Sequence, residues 1–225
     1  LQIGVDSTAE LTMPRVENPR RMGKIVLYGT SIQQGGCASR VGMVPSAMIQ
    51  REYNLECVNI STSGNARMDL YIAQAMASIE DAICFVVDPV PNCTKDRLDT
   101  ITYDFIKILR TLRPEVPIIM VEGIMYPYTR HNSFFADYLP QKNASFRRAY
   151  EQHKAENPKG LYYMTHDGQV GPEMEGTVDG VHLTDYGFRA YADILEVVIK
   201  KALDKTGVKY NLTPTCAIVQ EKVIK

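Results

Sequence analysis

The chain has 225 residues, of which 45% are hydrophobic, and its formal net charge at neutral pH is −1. This length and composition suffice for one well-packed domain. A near-neutral chain without a long lysine or arginine run lacks the basic surface of a nucleic-acid-binding protein. No apolar stretch approaches the roughly 18–20 residues of a membrane span. We therefore predict no nucleic-acid partner and no membrane span.

The chain begins with an irregular segment and ends with a short tail. Residues 1–22 are predicted to be an irregular lead-in, because Pro14 and Pro19 interrupt them and "ENPRRMG" is rich in turn-forming residues. Residues 23–206 are predicted to form the main domain. The tail, 207–225, has alternating apolar residues, which fit either a short edge strand or a segment lying on the surface.

Between these ends, short apolar strands alternate with helical patterns. Five strands are predicted, at residues 24–28, 56–60, 82–87, 117–121 and 161–165. Helices are predicted between and after them, at residues 45–53, 69–79, 97–112, 141–156 and 185–203. Repeated strand–helix–strand units give a parallel sheet that is covered by helices on both faces. The sequence therefore predicts an α/β fold.

Two of these helices carry more specific predictions. Asp69 is expected to be the N-cap of the helix at 69–79, since aspartate readily accepts a bond from a free N–H of the first turn. The helix at 97–112 is expected to bury one apolar face, formed by Ile101, Phe105, Ile108, Leu109 and Leu112.

Polar residues recur where the predicted strands end, and parallel sheets collect their functional groups at that edge. Ser31 follows the first strand in "LYGTSIQQGG", Gly64 follows the second in "STSGNARMD", and Asn92 follows the third in "DPVPNCT". Asp179 and His182 lie in "GTVDGVHLTDYG", just before the last helix. Serine, histidine, carboxylate and amide groups together are the parts of a nucleophilic acyl transfer.

The chemistry suggests a role for each of these residues. Ser31 is the candidate nucleophile, His182 the base that takes its proton, and Asp179 the carboxylate that orients the histidine. The N–H groups of Ser31 and Gly64 and the side-chain amide of Asn92 are candidate donors of an oxyanion hole. Gly64 lacks a Cβ, so a substrate oxygen can approach its N–H closely.

Structural interpretations stand beside these roles. Taken singly, the serine is a helix cap, the glycine and asparagine are turn residues, and the histidine is a hydrogen-bonded structural residue. Asp88, at the end of the third strand, is a second candidate for the orienting carboxylate, although a local DxxH turn favours Asp179. The adjacent His166 and Asp167 are expected to be exposed and not catalytic.

Cysteine and histidine spacings predict neither a metal site nor a disulfide framework. None of the five cysteines is part of a CxxC pair. Cys57 and Cys84 lie in apolar strands, where buried free thiols are expected. Four histidines are widely separated, without HxH or HExxH spacing. We predict no metal and no cofactor.

In chain order, "YGTSI", "SGN", "PN" and "DGVHLTD" resemble the four blocks of the SGNH (GDSL-type) hydrolase superfamily. Within it, the chain is most similar to the bacterial esterases related to carbohydrate acetyl esterases. The resemblance covers about residues 24–203 and implies a three-layer α/β/α sandwich with a flavodoxin-like, five-stranded parallel sheet. It implies the triad and oxyanion hole given above, and a carboxylic ester hydrolase.

The resemblance also bears on the N-terminal segment, and the chain departs from the family motifs at two places. Related chains carry a small β-rich module before the hydrolase domain, which implies that residues 1–22 are its last part. The sequence leaves the compartment undecided, and the resemblance to bacterial esterases favours a periplasmic or secreted location over a cytoplasmic one. Thr30 stands where the first block usually has aspartate, and the third block lacks its usual glycine and aspartate around Asn92. These departures affect supporting residues and leave the reacting ones in place.

The connection after the fourth strand suggests the substrate. Residues 122–139 form a long connection, and long loops often carry function. Its Tyr126 and Arg130 are candidate substrate-binding residues, and its aromatic and hydrogen-bonding groups suit a short-chain acyl ester such as an O-acetylated carbohydrate. The same loop would also serve as a dimer contact.

Two other functions fit the same pattern. One is a catalytically silent module that binds acylated sugars without cleaving them. The other is a flavodoxin-like nucleotide or flavin binder. The glycines after the first strand lack the GxGxxG or GxxxxGK[ST] spacing that phosphate binding needs, which argues against the second function.

Overall fold

The computed structural model describes residues 4–10, 12 and 23–208. These residues form a parallel sheet of five strands in the order β2-β1-β3-β4-β5. The strands are β1 (Lys24–Gly29), β2 (Glu56–Asn59), β3 (Ala82–Asp88), β4 (Ile118–Val121) and β5 (Leu161–Met164). The α-helices are α1 (Ser31–Gln34), α2 (Pro45–Tyr53), α3 (Leu70–Ala77), α4 (Lys95–Leu112), α5 (Ser133–Glu156) and α6 (Asp185–Leu203). Short 3-10 turns lie at Val41–Met43, Val90–Asn92 and Pro127–His131.

Side-chain alternation along the strands builds two cores, one on each face of the sheet. In β1, Ile25 and Leu27 point into one core, whereas Val26 and Tyr28 point into the other. Successive residues of a strand face opposite sides, so an uninterrupted apolar strand buries both faces. Helices α2 and α6 cover the first face, and α3, α4 and α5 cover the second. The result is the predicted three-layer α/β/α sandwich.

The strand order places a crevice at the ends of β1 and β3. From β1 the chain moves outward to β2, then returns past β1 to β3 and continues in the other direction. In open parallel sheets, ligands bind outside the carboxyl ends of the strands where this reversal occurs. Ser31 follows β1 and Asn92 lies in the turn after β3, so both lie at the reversal.

Most predicted elements are confirmed. All five strands are present within one or two residues of their predicted ends, and α2 and α6 have the predicted bounds. Residues 4–10 form a turn without helix or strand. Pro14, Pro19 and the tail beyond residue 208 lie outside the described residues, so the division into lead-in, domain and tail stays a prediction.

The prediction for α5 was wrong at its N-terminus. The helix begins at Ser133, eight residues before the predicted 141–156, and continues through Pro140. Proline in a helix interior loses one backbone bond and costs about 3 kcal/mol. Asn132 offsets part of this cost by accepting a bond from the Phe135 N–H (3.2 Å), and the stacked rings of Phe134 and Tyr138 hold the first turns together.

Two details of the other helices also differ from the predictions. Asp69 occupies the N-cap position of α3 without making a capping bond, because its carboxylate instead accepts a hydrogen bond from Arg97 (2.6 Å). Helix α4 buries Leu98, Thr102, Phe105, Ile106 and Leu109, while Leu112 is 53% exposed. The buried face of α4 is therefore rotated from the predicted one and includes Thr102. The hydroxyl of Thr102 donates to the Leu98 carbonyl of the same helix.

Within the described residues, Cys37, Cys57, Cys84 and Cys93 are free thiols, and Cys57 is only half-buried. The fifth cysteine, Cys216, lies outside them. In the same residues no group of three or more histidine, cysteine, aspartate or glutamate side chains is arranged to hold a metal ion. No helix in the described part of the chain has the length and apolar character needed to cross a bilayer.

Candidate active site

Ser31 lies at the start of a very short helix directly after β1. Thr30 caps this helix, its hydroxyl accepting a bond from the Ile32 N–H (3.3 Å), and Ser31 is the first helical residue. The helix ends after one turn at Gly35, whose φ of 96° is in the left-handed region. The Gly36 N–H then donates to the Ser31 carbonyl (2.8 Å). The serine is therefore held by a capped turn at the edge of the sheet and is 8% exposed.

Asp179 and His182 lie in a tight turn that is closed by backbone bonds. The Val178 N–H donates to the His182 carbonyl (2.8 Å), and an isolated antiparallel bridge joins Thr177 to Leu183. Helix α6 follows immediately and packs against the base of the turn. A Cβ on Gly187 would lie 2.0 Å from the Gly176 carbonyl, so only glycine allows this approach.

The structure brings these three side chains into one hydrogen-bonded chain. His182 Nε2 lies 3.0 Å from Ser31 Oγ, and His182 Nδ1 lies 2.7 Å from Asp179 Oδ2. The other Asp179 oxygen accepts bonds from the His182 N–H (2.7 Å) and the Val181 N–H (2.9 Å). When Nδ1 donates to the carboxylate, Nε2 keeps its lone pair toward the serine.

The hydrogen bonds around Asp179 favour its charged form. The bond from the His182 ring and the two bonds from backbone N–H groups hold the pKa of this carboxyl well below its usual range. The side chain is 49% exposed, so water also solvates it. Asp179 is thus a carboxylate at all ordinary pH values.

The loop after β2, which contains Gly64, is tied to its neighbours on both sides. The Thr62 N–H donates to the Gly29 carbonyl (3.0 Å), and the Ser63 N–H donates to the Gln34 side chain (3.0 Å). Gly64 has a φ of 69°, and a Cβ there would face open space. In the part of the chain that the structure describes, neither the Gly64 N–H nor the Ser31 N–H donates to another protein group.

Asn92 lies at the end of the 3-10 turn after β3 and faces the same loop. Its Oδ1 accepts a bond from the Ala66 N–H (3.2 Å), which fixes the orientation of the amide. Its Nδ2 has no protein acceptor among the described residues and remains a free donor. Lys142 of α5 donates to the Pro91 carbonyl (3.3 Å) and so supports this turn from below.

Asp88, the second candidate for the orienting carboxylate, serves elsewhere. It is 2% exposed at the end of β3, and its Oδ2 accepts a bond from Tyr191 Oη (2.8 Å). Burial raises the pKa of this carboxyl to about 8, with the tyrosine bond opposing the shift. A carboxyl held neutral by the core is unsuited to stabilising a charged histidine.

An aromatic group lies beside the Asp179–His182 turn. The rings of Tyr126 and Tyr128 stack with centroids 5.4 Å apart, and Tyr128 Cδ1 is 3.4 Å from where a Cβ on Gly180 would lie. Tyr126 is only 5% exposed, whereas Phe134 is 64% exposed. Arg130 is exposed, and its guanidinium contacts the Met174 sulfur (3.1 Å). Of the two candidate substrate-binding residues, Arg130 lies at the surface and Tyr126 in the core.

His166 is half-exposed and forms a second carboxylate–histidine pair. Its Nδ1 lies 2.8 Å from an oxygen of Glu122, which is 1% exposed at the end of β4. Arg147 and Tyr163 also donate to this carboxylate. Burial alone would raise the pKa of Glu122, but the bonds from His166, Arg147 and Tyr163 outweigh it and lower the pKa. The exposure expected for His166 is therefore only partial, and its neighbour Asp167 is exposed.

Sequence reasoning missed several residues that hold the site together. Tyr28 Oη accepts a bond from the Met68 N–H (2.9 Å) and anchors the far end of the Gly64 loop. Asp185, three residues after the histidine, accepts bonds from the Ser39 N–H (3.0 Å) and hydroxyl (2.5 Å). The sequence offered one signal for each residue. Tyr28 is a polar-tipped residue at the end of an aliphatic strand, and Asp185 closes the segment "HLTD".

The chain is similar to known proteins both in sequence and in fold. A family model for the GDSL-like lipase/acylhydrolase family matches residues 22–200. The fold is similar to that of a Bacteroides ovatus protein described as a GDSL-like lipase, with a TM-score of 0.79 and 33% sequence identity. That match covers 87% of this chain and 56% of the Bacteroides ovatus chain. No curated protein matches the chain.

Two more distant structures share the fold. A salicylyl-acyltransferase from a tetracycline biosynthetic pathway, SsfX3, has a TM-score of 0.73 and 17% identity, covering 91% of this chain and 60% of its own. A family two carbohydrate esterase from Clostridium thermocellum, solved with cellohexaose, has a TM-score of 0.62 and 16% identity. That match covers 86% of this chain and 67% of the esterase.

Proposed function

The chain belongs to the GDSL-like lipase/acylhydrolase family, and from this premise we propose that it hydrolyses carboxylic esters with Ser31 as nucleophile. The acyl group is short, with acetyl the first choice, and the alcohol is a carbohydrate. His182 is the general base and acid, and Asp179 orients it. The single observation that carries the proposal is the continuous contact from Ser31 Oγ through His182 to Asp179, at 3.0 and 2.7 Å.

The first half of the reaction forms an acyl-enzyme. Ser31 Oγ attacks the ester carbonyl carbon while its proton passes to His182 Nε2. The positive charge that forms on the imidazole ring is met by Asp179, whose lowered pKa keeps it ionised. The negative oxygen of the tetrahedral intermediate is stabilised by the N–H groups of Ser31 and Gly64 and by Asn92 Nδ2. Collapse of the intermediate expels the alcohol, which takes the proton from His182.

The second half releases the acid. A water molecule replaces the alcohol, gives a proton to His182 Nε2 and attacks the acyl carbon. The same donors stabilise the second tetrahedral intermediate. Its collapse breaks the bond to Ser31 Oγ, which recovers its proton from His182. The preorganised Gly64 loop supports this mechanism, because donors already fixed by other bonds need no rearrangement as charge develops.

The carbohydrate part of the proposal rests on the surface beside the histidine. The stacked pair Tyr126 and Tyr128 backs the Asp179–His182 turn, and Arg130 in the same 3-10 turn as Tyr128 and Phe134 in the first turn of α5 are exposed. Aromatic faces and a guanidinium group are suited to the apolar and hydroxyl surfaces of a sugar. The carbohydrate esterase that was solved with cellohexaose shares this fold, so acetylated sugars are the class to test first.

Hydrolysis of p-nitrophenyl acetate by the wild type, Ser31→Ala and Ser78→Ala tests the proposal. Ser78 is a matched control, since it follows α3 and, among the described residues, its hydroxyl donates only to the Ala75 carbonyl. We expect wild-type and Ser78→Ala turnover to agree within a factor of two or so. Ser31→Ala should lose about 10⁴-fold or more in kcat while keeping its circular dichroism spectrum. Equal rates in all three proteins would remove Ser31 as nucleophile and favour a silent binding module.

A further inference from the structure

A pocket of about 550 Å³ lies one helical turn from Ser31, between the loop after α1, the start of α2 and the end of β2. We name it the β2 pocket. Its walls mix hydroxyl, amide and guanidinium groups with small apolar side chains. The lining residues are Gln34, Gly35, Ala38, Arg40, Val41, Val44, Ser46, Asn59 and Ser61. The N–H of Gly35, which lines the pocket, donates to the Ser31 carbonyl (3.0 Å), so this wall of the pocket is joined to the residue of the nucleophile.

We propose that the β2 pocket binds one sugar residue of the alcohol half of the ester, that this residue carries a negative charge, and that the surface around Tyr128 and Arg130 takes a further part of the same carbohydrate. The inference rests on the proposed function. An acetyl group has only two carbons and is attached directly to Ser31 during the reaction, so it cannot extend into a pocket one turn away. A group that fills this pocket must therefore belong to the other half of the ester.

Two hydroxyl groups at the base of the pocket are available to a sugar. Ser46 Oγ accepts a bond from Asn59 Nδ2 (3.1 Å), which leaves its own hydrogen free to donate. Ser61 is 8% exposed, and its Oγ has no hydrogen-bond partner among the described residues. A buried hydroxyl without a partner is costly, so a sugar hydroxyl that bonded Ser61 Oγ would relieve that cost. Val41, 83% exposed at the rim, offers an apolar surface to the ring.

The negative charge of the ligand is inferred from two guanidinium groups. Arg40 lines the pocket, and Arg51 lies on the adjoining helix α2. Their Nη1 atoms lie 2.7 and 3.6 Å from the point where a Cβ on Gly42 would be, so the two like charges lie close together beside Val41 of the pocket wall. Within the described residues, neither is within ion-pair distance of a carboxylate.

One acidic residue faces this group from a distance. The bonds from Ser39, and to a smaller extent the charge of Arg40, lower the pKa of Asp185 of α6. Both oxygens of this carboxylate are already bonded to Ser39. Converging cations without a close carboxylate repel each other, and an anion between them would relieve that repulsion. A carboxylate on the sugar ring matches the planar, paired donors of a guanidinium group.

The test compares two acetyl esters that differ in one group. Glucuronic acid and glucose, each acetylated at the same ring hydroxyl, differ by a carboxylate against a hydroxymethyl group at C6. We expect wild-type kcat/KM to favour the glucuronate ester by about three- to tenfold at low salt, and added NaCl to reduce that ratio. In Arg40→Gln and Arg51→Gln the ratio should approach one. Arg148→Gln removes the same charge from an exposed site on α5 and should keep the wild-type ratio.

A binding measurement separates the two proposals. Calorimetry with Ser31→Ala should show tighter binding of the glucuronate ester than of the glucose ester, and Arg40→Gln should remove the difference. If wild type hydrolyses p-nitrophenyl acetate but treats both sugar esters equally, the pocket assignment is overturned and the proposed function stands. If wild type hydrolyses no ester but Ser31→Ala still prefers the glucuronate ester, the proposed function fails and the pocket assignment stands. Competition by inorganic phosphate as strong as by glucuronate would indicate a general anion site and overturn the sugar assignment.

Discussion

Two carboxylate–histidine pairs in this molecule have nearly the same local geometry. In one, His182 Nδ1 lies 2.7 Å from Asp179, and in the other His166 Nδ1 lies 2.8 Å from Glu122. In both, the backbone N–H of the histidine donates to the same carboxylate, at 2.7 and 3.1 Å. Both pairs lie at the carboxyl edge of the sheet.

The pairs differ in what surrounds them. His182 Nε2 faces Ser31 Oγ at 3.0 Å, whereas His166 Nε2 faces the exposed Asp167 at 3.8 Å. Asp179 is half-exposed and serves one ring, while Glu122 is buried and also binds Arg147 and Tyr163. A carboxylate–histidine pair is therefore not a catalytic base by itself. On the proposed mechanism, the group that faces the second ring nitrogen decides whether the pair acts as a base or only joins segments of the chain.

The largest expected effect comes from removing one histidine of each pair. His182→Ala should lower kcat for p-nitrophenyl acetate by about 10⁴–10⁶-fold, because the serine loses its base. His166→Ala should leave kcat within about threefold and instead lower the midpoint of thermal unfolding, since the bonds to Glu122 are lost. Steady-state kinetics and thermal melts of both variants check this. Similar kinetic losses in the two variants would mean that the pairs are not functionally distinct.

A smaller loss is expected when an oxyanion donor is removed and the base is kept. Asn92→Ala removes the free Nδ2 donor and should lower kcat by about 10²–10³-fold with little change in KM. The Ala66 N–H loses its acceptor in this variant, so Asn92→Asp serves as a control that keeps the Oδ1 acceptor without the donor. Both variants should lose kcat. Normal turnover by Asn92→Asp would exclude the amide as an oxyanion donor.

The smallest expected effect is a loss of stability when the Glu122–His166 pair is weakened. Glu122→Gln should lower the free energy of unfolding by about 2–3 kcal/mol at pH 7, because charge-assisted bonds become neutral ones. The folded-state pKa of Glu122 is lowered, so its stabilisation is present above the unfolded-state value and is lost as pH falls through the folded-state value. Urea unfolding of wild type and variant between pH 7 and pH 3 should therefore converge at low pH. A difference that is constant with pH would contradict the charged carboxylate.

The sequence was a good guide wherever a local pattern determines the outcome. Five or six consecutive apolar residues predict a buried parallel strand, and the 3.6-residue period gave α6 its correct bounds. The order of Ser31, Gly64, Asn92 and the DxxH turn along the strand ends predicted that these residues would meet, because parallel strands bring their carboxyl ends to one edge. The structure brings Ser31, His182 and Asp179 into contact as expected.

Features that depend on distant partners were not predictable in this way. Glu122 was read as the start of a long loop, and nothing near it in the sequence shows that Arg147, Tyr163 and His166 converge on it. Helix α5 was predicted to begin only at residue 141, whereas it begins at Ser133 and passes through Pro140, where aromatic packing helps to offset the lost backbone bond. The β2 pocket is formed by two segments, 34–46 and 59–61, that no local pattern connects.

Covalent labelling by a phosphonate ester reagent tests the central claim most directly, because such reagents mark a serine only when a neighbouring base activates it. Wild type, His182→Ala and His166→Ala would be incubated with a p-nitrophenyl phosphonate, digested and analysed by mass spectrometry. We expect one adduct, on Ser31, in the wild type and in His166→Ala, and none in His182→Ala. An unlabelled wild type, or an adduct on another serine such as Ser39 or Ser63, would contradict the assignment of Ser31 and His182 as nucleophile and base.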